Sequence, residues 1–207
     1  MLDPSQHKQA AQLLIHHWDH GTRLAELPPD LRPSTRAEGY AIQSHFLDAS
    51  QQPLFGWKIA GTSEAGQKHI NVDAPLAGRL LAEKRRPDGA EISIAGNNMR
   101  VAEVEFAFRF GTDLAPREKP YSVDEVMMAV ASLHPAIEIP DSRYDDFCAV
   151  GAPQLIADNA CANLVIVGPA TEIDWRRIDL AAHRVSGTVI GKFENQGMGA
   201  NALGDPR

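Results

Sequence analysis

The apolar positions change their spacing near residue 53. Before that point they recur at helical intervals. Ala10, Leu14 and Trp18 fall four residues apart and share one helix face. Asp3 suits the cap of that helix, Pro4 its first turn and Gly21 its end. A connection rich in proline follows, with Pro28, Pro29 and Pro33. Thr35 and Glu38 then show capping-box spacing ahead of a second helix, whose inner stripe is Ala37, Tyr40, Ala41, Ser44 and Leu47. Residues 1–52 therefore read as a helical N-terminal part.

From Leu54 the period becomes two. Phe55, Trp57 and Ile59 alternate with Gly56, Lys58 and Ala60, as on the two faces of a strand. Further strands are predicted near Glu91–Ile94, over Arg100–Phe110, at Pro135–Ile139 and over Cys161–Val167, with a weaker alternation over Val185–Phe193. Ser122 and Glu125 open a helix that carries Val126, Val130 and Leu133. No internal repeat or low-complexity stretch interrupts the pattern. The sum is an α+β fold in which residues 53–207 form a β-rich body with a mixed or antiparallel sheet.

Composition narrows the function classes. The 207 residues are 43% hydrophobic and 23% charged, as in ordinary globular proteins. The longest apolar run, Val126 to Leu133, falls well short of the roughly 18 residues that a membrane span needs. The N-terminus lacks a basic stretch feeding an apolar one, so no secretory signal is read there. The net charge of −7 argues against nucleic acid as the main partner, because phosphate binding needs clustered Lys and Arg. Two cysteines, Cys148 and Cys161, suit a reducing cytoplasm.

The candidate chemistry is carried by carboxylates. Glu103 and Glu105 lie two apart on a strand, so they point the same way with α-carbons about 7 Å apart. Glu138 sits between isoleucines in a short proline-bounded strand, where burial would demand a partner or a cation. Taken singly, the first two read as a polar strand face, and Glu138 as an ion pair for which Arg143 is the candidate partner. Together the three describe an oxygen-ligand site suited to Mg²⁺, with Mn²⁺ as the alternative. Lys58, on the small-residue face of its strand, is the candidate for holding a substrate carboxylate or moving a proton. His16, His17 and His20 with Asp19 read as a solvated helix face. Gly197-Met198-Gly199 lacks dinucleotide-motif spacing, and Asp158-Asn159 reads by default as a turn or cap.

Four segments in order carry a resemblance. They are Phe55-Gly56-Trp57-Lys58-Ile59-Ala60-Gly61-Thr62, Arg100-Val101-Ala102-Glu103-Val104-Glu105, Pro135-Ala136-Ile137-Glu138 with Ser142-Arg143, and Ala157-Asp158-Asn159-Ala160. From about Ser34 to its last residue the chain resembles the 2-keto-4-pentenoate hydratases of the fumarylacetoacetate hydrolase superfamily. The resemblance implies a helical N-terminal part before a mixed β-roll or barrel. It implies a divalent metal, usually Mg²⁺, on Glu103, Glu105 and Glu138. It implies Lys58 and Asp158 as catalytic residues, and Lys58 and Asn159 as substrate-binding ones. The implied reaction is addition of water to a 2-oxo-4-enoic acid during the catabolism of aromatic compounds. The partner is then a small 2-oxo acid, with neither nucleic acid nor membrane, and the complete protein is a cytoplasmic homo-oligomer.

Two departures qualify it. Where family hydratases often carry an acid after proline, this chain has Leu76 in Pro75-Leu76-Ala77-Gly78. That keeps open decarboxylation of a 2-oxo diacid, C–C hydrolysis of an acylpyruvate, and a non-catalytic fragment. The family also continues beyond the position of Arg207. A C-terminally incomplete member is therefore expected, poorly stable and inactive by itself.

Overall fold

A computed structural model describes residues 1–207. The fold is α+β, with five helices and eight strands joined by short 3₁₀ turns. Two compact units divide the chain. The first comprises residues 1–86, 90–103 and 138–165, and the second residues 87–89, 104–137 and 166–207.

The first unit opens with helix α1, Pro4–His20. Asp3 caps it through a reciprocal exchange with Gln6, Pro4 stands in its first turn, and Gly21 closes it in the left-handed conformation (φ 62°). Helix α2, Arg36–Ser44, starts at Thr35, whose hydroxyl accepts from the Glu38 amide. The predicted box is not reciprocal: Glu38 turns its carboxylate to the Leu2 and Ser34 amides and the Ser34 hydroxyl. Ala10, Ala11, Leu14, Leu27, Ile42, Phe46 and Tyr144 form one core cluster of this unit. Removing a buried side chain such as Leu14 typically costs about 2–5 kcal/mol.

Strand β1, Leu54–Ala60, pairs antiparallel with β2, Leu76–Leu81, with helix α3, Glu64–His69, between them. The Phe55, Trp57 and Ile59 face is exposed and the Lys58 face turns inward. Leu76 and Leu80 on β2 are buried, and Leu76 joins a second cluster with Leu155, Ile156, Ala160 and Cys161. Helix α5, Gly151–Ala157, supplies the middle of that cluster.

A four-stranded sheet has the order β3-β6-β5-β4, where β3 is Arg85–Arg86, β4 Glu103–Phe110, β5 Val130–Ile139 and β6 Leu164–Val167. In the second unit, Phe106 and Phe108 pack against Val130, Leu133, Trp175 and Leu180. This unit also holds helix α4, Val123–Ala129, and the antiparallel pair β7, Arg184–Val189, and β8, Phe193–Met198.

Several expected boundaries shift. Helix α4 ends at Ala129, and Val130 and Leu133 lie on β5, where branched and apolar side chains pack on a pleated surface. Residues 91–94 form no strand. Cys161 ends a 3₁₀ turn, and β6 starts only at Leu164. The weak alternation near Val185 is a hairpin of two strands rather than one.

Candidate active site

Lys58 stands in the middle of β1, directly opposite Gly78 of β2. The absence of a side chain at Gly78 leaves room for the lysine stem. Its ammonium lies 3.0 Å from Glu138 Oε2, and both side chains are almost wholly buried. It also donates to the carbonyl of Ala160 at 3.3 Å. Glu138 Oε1 is buried with no hydrogen-bond partner. Glu138 therefore meets its predicted need for a partner through Lys58, not through Arg143.

The carboxylate oxygens of Glu103, Glu105 and Glu138 lie within 4.8 Å of one another. The period-two reading of β4 thus brings its two glutamates to the third. Burial raises Glu138 to about 7, against the pull of Lys58, and Glu103 adds to the rise. Burial alone would lower Lys58, but Glu138 and Glu103 outweigh it and hold the ammonium above its ordinary value. One buried cation thus faces two carboxylates, and burial pushes Glu138 toward protonation.

Asp158 and Asn159 sit immediately after α5, both fully buried. Asp158 pairs with the Arg143 guanidinium and accepts from the Arg143 amide at 3.0 Å and the Ser142 hydroxyl at 2.8 Å. Burial raises its carboxyl, with Arg143 and Ser142 opposing. Asn159 accepts from the Arg79 amide at 2.6 Å and donates to the Arg79 carbonyl at 2.8 Å. Their polar atoms are engaged with the protein itself. The histidines of α1 form a separate surface feature: His16 and His20 stack with ring centres 4.1 Å apart, and His17 turns to Thr22.

Sequence reasoning missed three parts of this site: Gly78, the Ala160 carbonyl, and Arg143 as partner of Asp158. The Ser142-Arg143 pair was visible within its segment, but nothing local assigns its partner.

Fold and site together define an α+β chain that gathers an oxygen-donor cluster, able to hold a metal, beside a buried lysine. No protein-family model matches the chain. It is 29% identical to the 2-keto-4-pentenoate hydratase of Paraburkholderia xenovorans (strain LB400) over 210 residues, covering 99% of this chain and 76% of that one. It is 31% identical to the 2-hydroxyhexa-2,4-dienoate hydratase of Comamonas testosteroni, covering 88% of this chain and 70% of that one. Among solved structures, the 4-oxalocrotonate decarboxylase of Pseudomonas putida G7, complexed with magnesium and adipate, shares the fold with a TM-score of 0.79 at 22% identity, over 100% of this chain and 78% of that one. The chain belongs to the 2-keto-4-pentenoate hydratase family of hydro-lyases.

Proposed function

We propose that this protein adds water to a 2-oxo-4-enoic acid, presented as its 2-hydroxydienoic form, in a metal-dependent step of aromatic-compound breakdown. The observation that carries the reading is the convergence of Glu103, Glu105 and Glu138 beside the buried ammonium of Lys58. A donor set made only of carboxylate oxygens fits Mg²⁺, with Mn²⁺ as the alternative. The unpartnered, buried Oε1 of Glu138 fits a coordinating role. A divalent cation held there supplies Lewis-acid polarisation to the 2-oxo acid end of the substrate.

Lys58 is assigned to substrate binding and to moving a proton at Nζ. Its ammonium is the cation that a substrate carboxylate would meet beside the glutamates. Asp158 is assigned a catalytic role and Asn159 a substrate-binding one, on the resemblance carried by Ala157-Asp158-Asn159-Ala160. The same proposal takes the substrate as a small 2-oxo acid, the setting as the cytoplasm, and the complete enzyme as a homo-oligomer. It reads residues 53–207 as the catalytic body, on a mixed β-roll or barrel, behind the helical residues 1–52.

A second reading is favoured by Leu76, which is fully buried in an apolar cluster at the start of β2. No acid stands there to share proton transfer, which leaves room for a 2-oxo diacid decarboxylase or an acylpyruvate hydrolase on the same scaffold. Incubation with 2-hydroxypentadienoate, a 2-oxo dienedioate and an acylpyruvate, each with Mg²⁺ and with chelator, separates these. Mg²⁺-dependent hydration of the first is expected. Carbon dioxide release from the diacid selects the second reading, and no metal-dependent turnover of any of them overturns both.

A further inference from the structure

Three consecutive residues without glycine, Asn159, Ala160 and Cys161, adopt the left-handed conformation, with φ of 55°, 50° and 60°. Side chains of L-residues disfavour that region, and Ala has no polar group to compensate locally. A run of three persists only where its surroundings over-determine it, and such strain clusters at functional sites.

The surroundings here are specific. Before the turn, Asp158 is locked in its buried pair with Arg143. At the turn, the Asn159 side chain bonds both the amide and the carbonyl of Arg79, as a paired strand residue would. After it, the Cys161 carbonyl accepts from the Asp141 amide at 2.9 Å. Beneath it lies Gly78, where an added Cβ would stand 2.4 Å from the Asn159 carbonyl oxygen and 3.1 Å from Lys58 Cδ. The result of this bracing is one buried acceptor turned to the lysine: the Ala160 carbonyl, 3.3 Å from Lys58 Nζ. With Glu138 it occupies two of the three ammonium donors, which fixes the direction of the third.

We propose that the left-handed turn Asn159–Cys161 is a positioning device for Lys58, and that Gly78 is the residue that lets it close against the lysine. The inference rests on the assignment of Lys58 to catalysis and adds the backbone that aims it. Ala160 and Gly78 are positioning residues, since neither is assigned a contact with substrate.

Ala160→Gly tests it with little risk to the fold, because glycine tolerates the positive φ yet opens the rest of φ/ψ space, so the aim of the residue 160 carbonyl loosens. The expected result is an unchanged or higher melting temperature, kcat lowered roughly tenfold, and the Mg²⁺ Kd within about twofold, since a misaimed lysine slows the reaction without removing a metal ligand. Gly78→Ala should lower kcat further, roughly a hundredfold. A readout independent of turnover is the exchange of the Lys58 ammonium protons by ¹⁵N NMR. Their signal, identified by its loss in Lys58→Ala, should exchange at least roughly tenfold faster in Ala160→Gly. Unchanged exchange and unchanged kcat in a folded Ala160→Gly overturn the proposal, whether or not Gly78→Ala folds. If Lys58→Ala itself retains turnover, the catalytic assignment of the lysine fails. If Lys58→Ala is inactive while Ala160→Gly is normal, only the positioning role fails.

Discussion

Two buried glutamates of this chain have opposite environments. Glu38, at the start of α2, is 6% exposed, and Glu138, at the end of β5, is 2% exposed. Both oxygens of Glu38 are used: Oε1 accepts from the Leu2 amide, and Oε2 from the Ser34 amide and hydroxyl. Those bonds, led by the two backbone amides, hold its carboxyl at about 2. Glu138 has one oxygen on Lys58 and the other on nothing, and burial pushes it to about 7. Burial is therefore not what separates structure from chemistry. The separation lies in whether the buried charge is saturated by the protein or left with capacity for something else.

The comparison breaks most visibly in turnover. Lys58→Ala should lower kcat by roughly a hundredfold to ten-thousandfold, the usual range for a lost acid–base group, while Mg²⁺ affinity changes only a few-fold. Steady-state kinetics and calorimetric Mg²⁺ titration check both halves. Metal binding lost together with the lysine, at unchanged turnover per bound metal, would contradict the assigned role. Next in size, Glu138→Gln should weaken Mg²⁺ binding at least roughly tenfold, because one charged oxygen ligand is removed. Glu38→Gln should leave Mg²⁺ affinity where it is, and an equal loss in both variants would show that the site depends on global packing rather than on the cluster.

Stability should respond the other way round. Glu38→Ala strands the Leu2 and Ser34 amides and should cost about 1–3 kcal/mol in urea or thermal unfolding, with kcat per folded molecule unchanged. The Leu2 bond ties the residue before the α1 cap to the first turn of α2 across 36 residues of sequence. A melting temperature indifferent to Glu38→Ala would mean that the clamp is ornamental and that the core around Leu14 and Phe46 carries the helical part alone.

The two sites also differed in how far the sequence revealed them. Strand period is local, so the separation of Lys58 from Phe55, Trp57 and Ile59 and the shared direction of Glu103 and Glu105 followed from alternation; which face of β1 turns inward did not, since the large apolar face is the exposed one. The caps at Asp3 and Thr35 were likewise readable, because capping uses residues within a few positions. The third glutamate needed tertiary structure, and so did its pairing: Lys58 and Glu138 are 80 residues apart in the chain and no local signal joins them. In the left-handed turn at Asn159–Cys161 only Asn159 is of a type that tolerates positive φ; Ala160 and Cys161 carry no such mark, unlike the glycine that ends α1. At β5 the helical spacing of Val126, Val130 and Leu133 misled, because the change from helix to strand falls inside it. Glu38 was read as half of a capping box, and its long-range bond to Leu2 lay outside any local motif.

The smallest expected effect is also the one in which the two glutamates should differ in sign. Glu38 has a folded value near 2, below its ordinary 4.5. Its contribution to stability is fully present above about pH 4.5 and is lost as pH falls toward 2, because the unfolded chain takes up the proton first. Glu138 has a folded value near 7, above 4.5. Between those values the folded chain holds more protons than the unfolded one, so its contribution declines as pH rises from about 4.5 to 7. Thermal melts in chelator across pH 2.5–8 should therefore lose a low-pH slope in Glu38→Gln and a separate slope between about pH 5 and 7 in Glu138→Gln. Saturating Mg²⁺ should flatten the second slope and leave the first, since a cation on the cluster favours the ionised carboxylate of Glu138 and has no contact with Glu38. Parallel curves for wild type and Glu138→Gln between pH 5 and 7 would mean that Lys58 already neutralises Glu138 fully, and that this carboxylate is as saturated as Glu38.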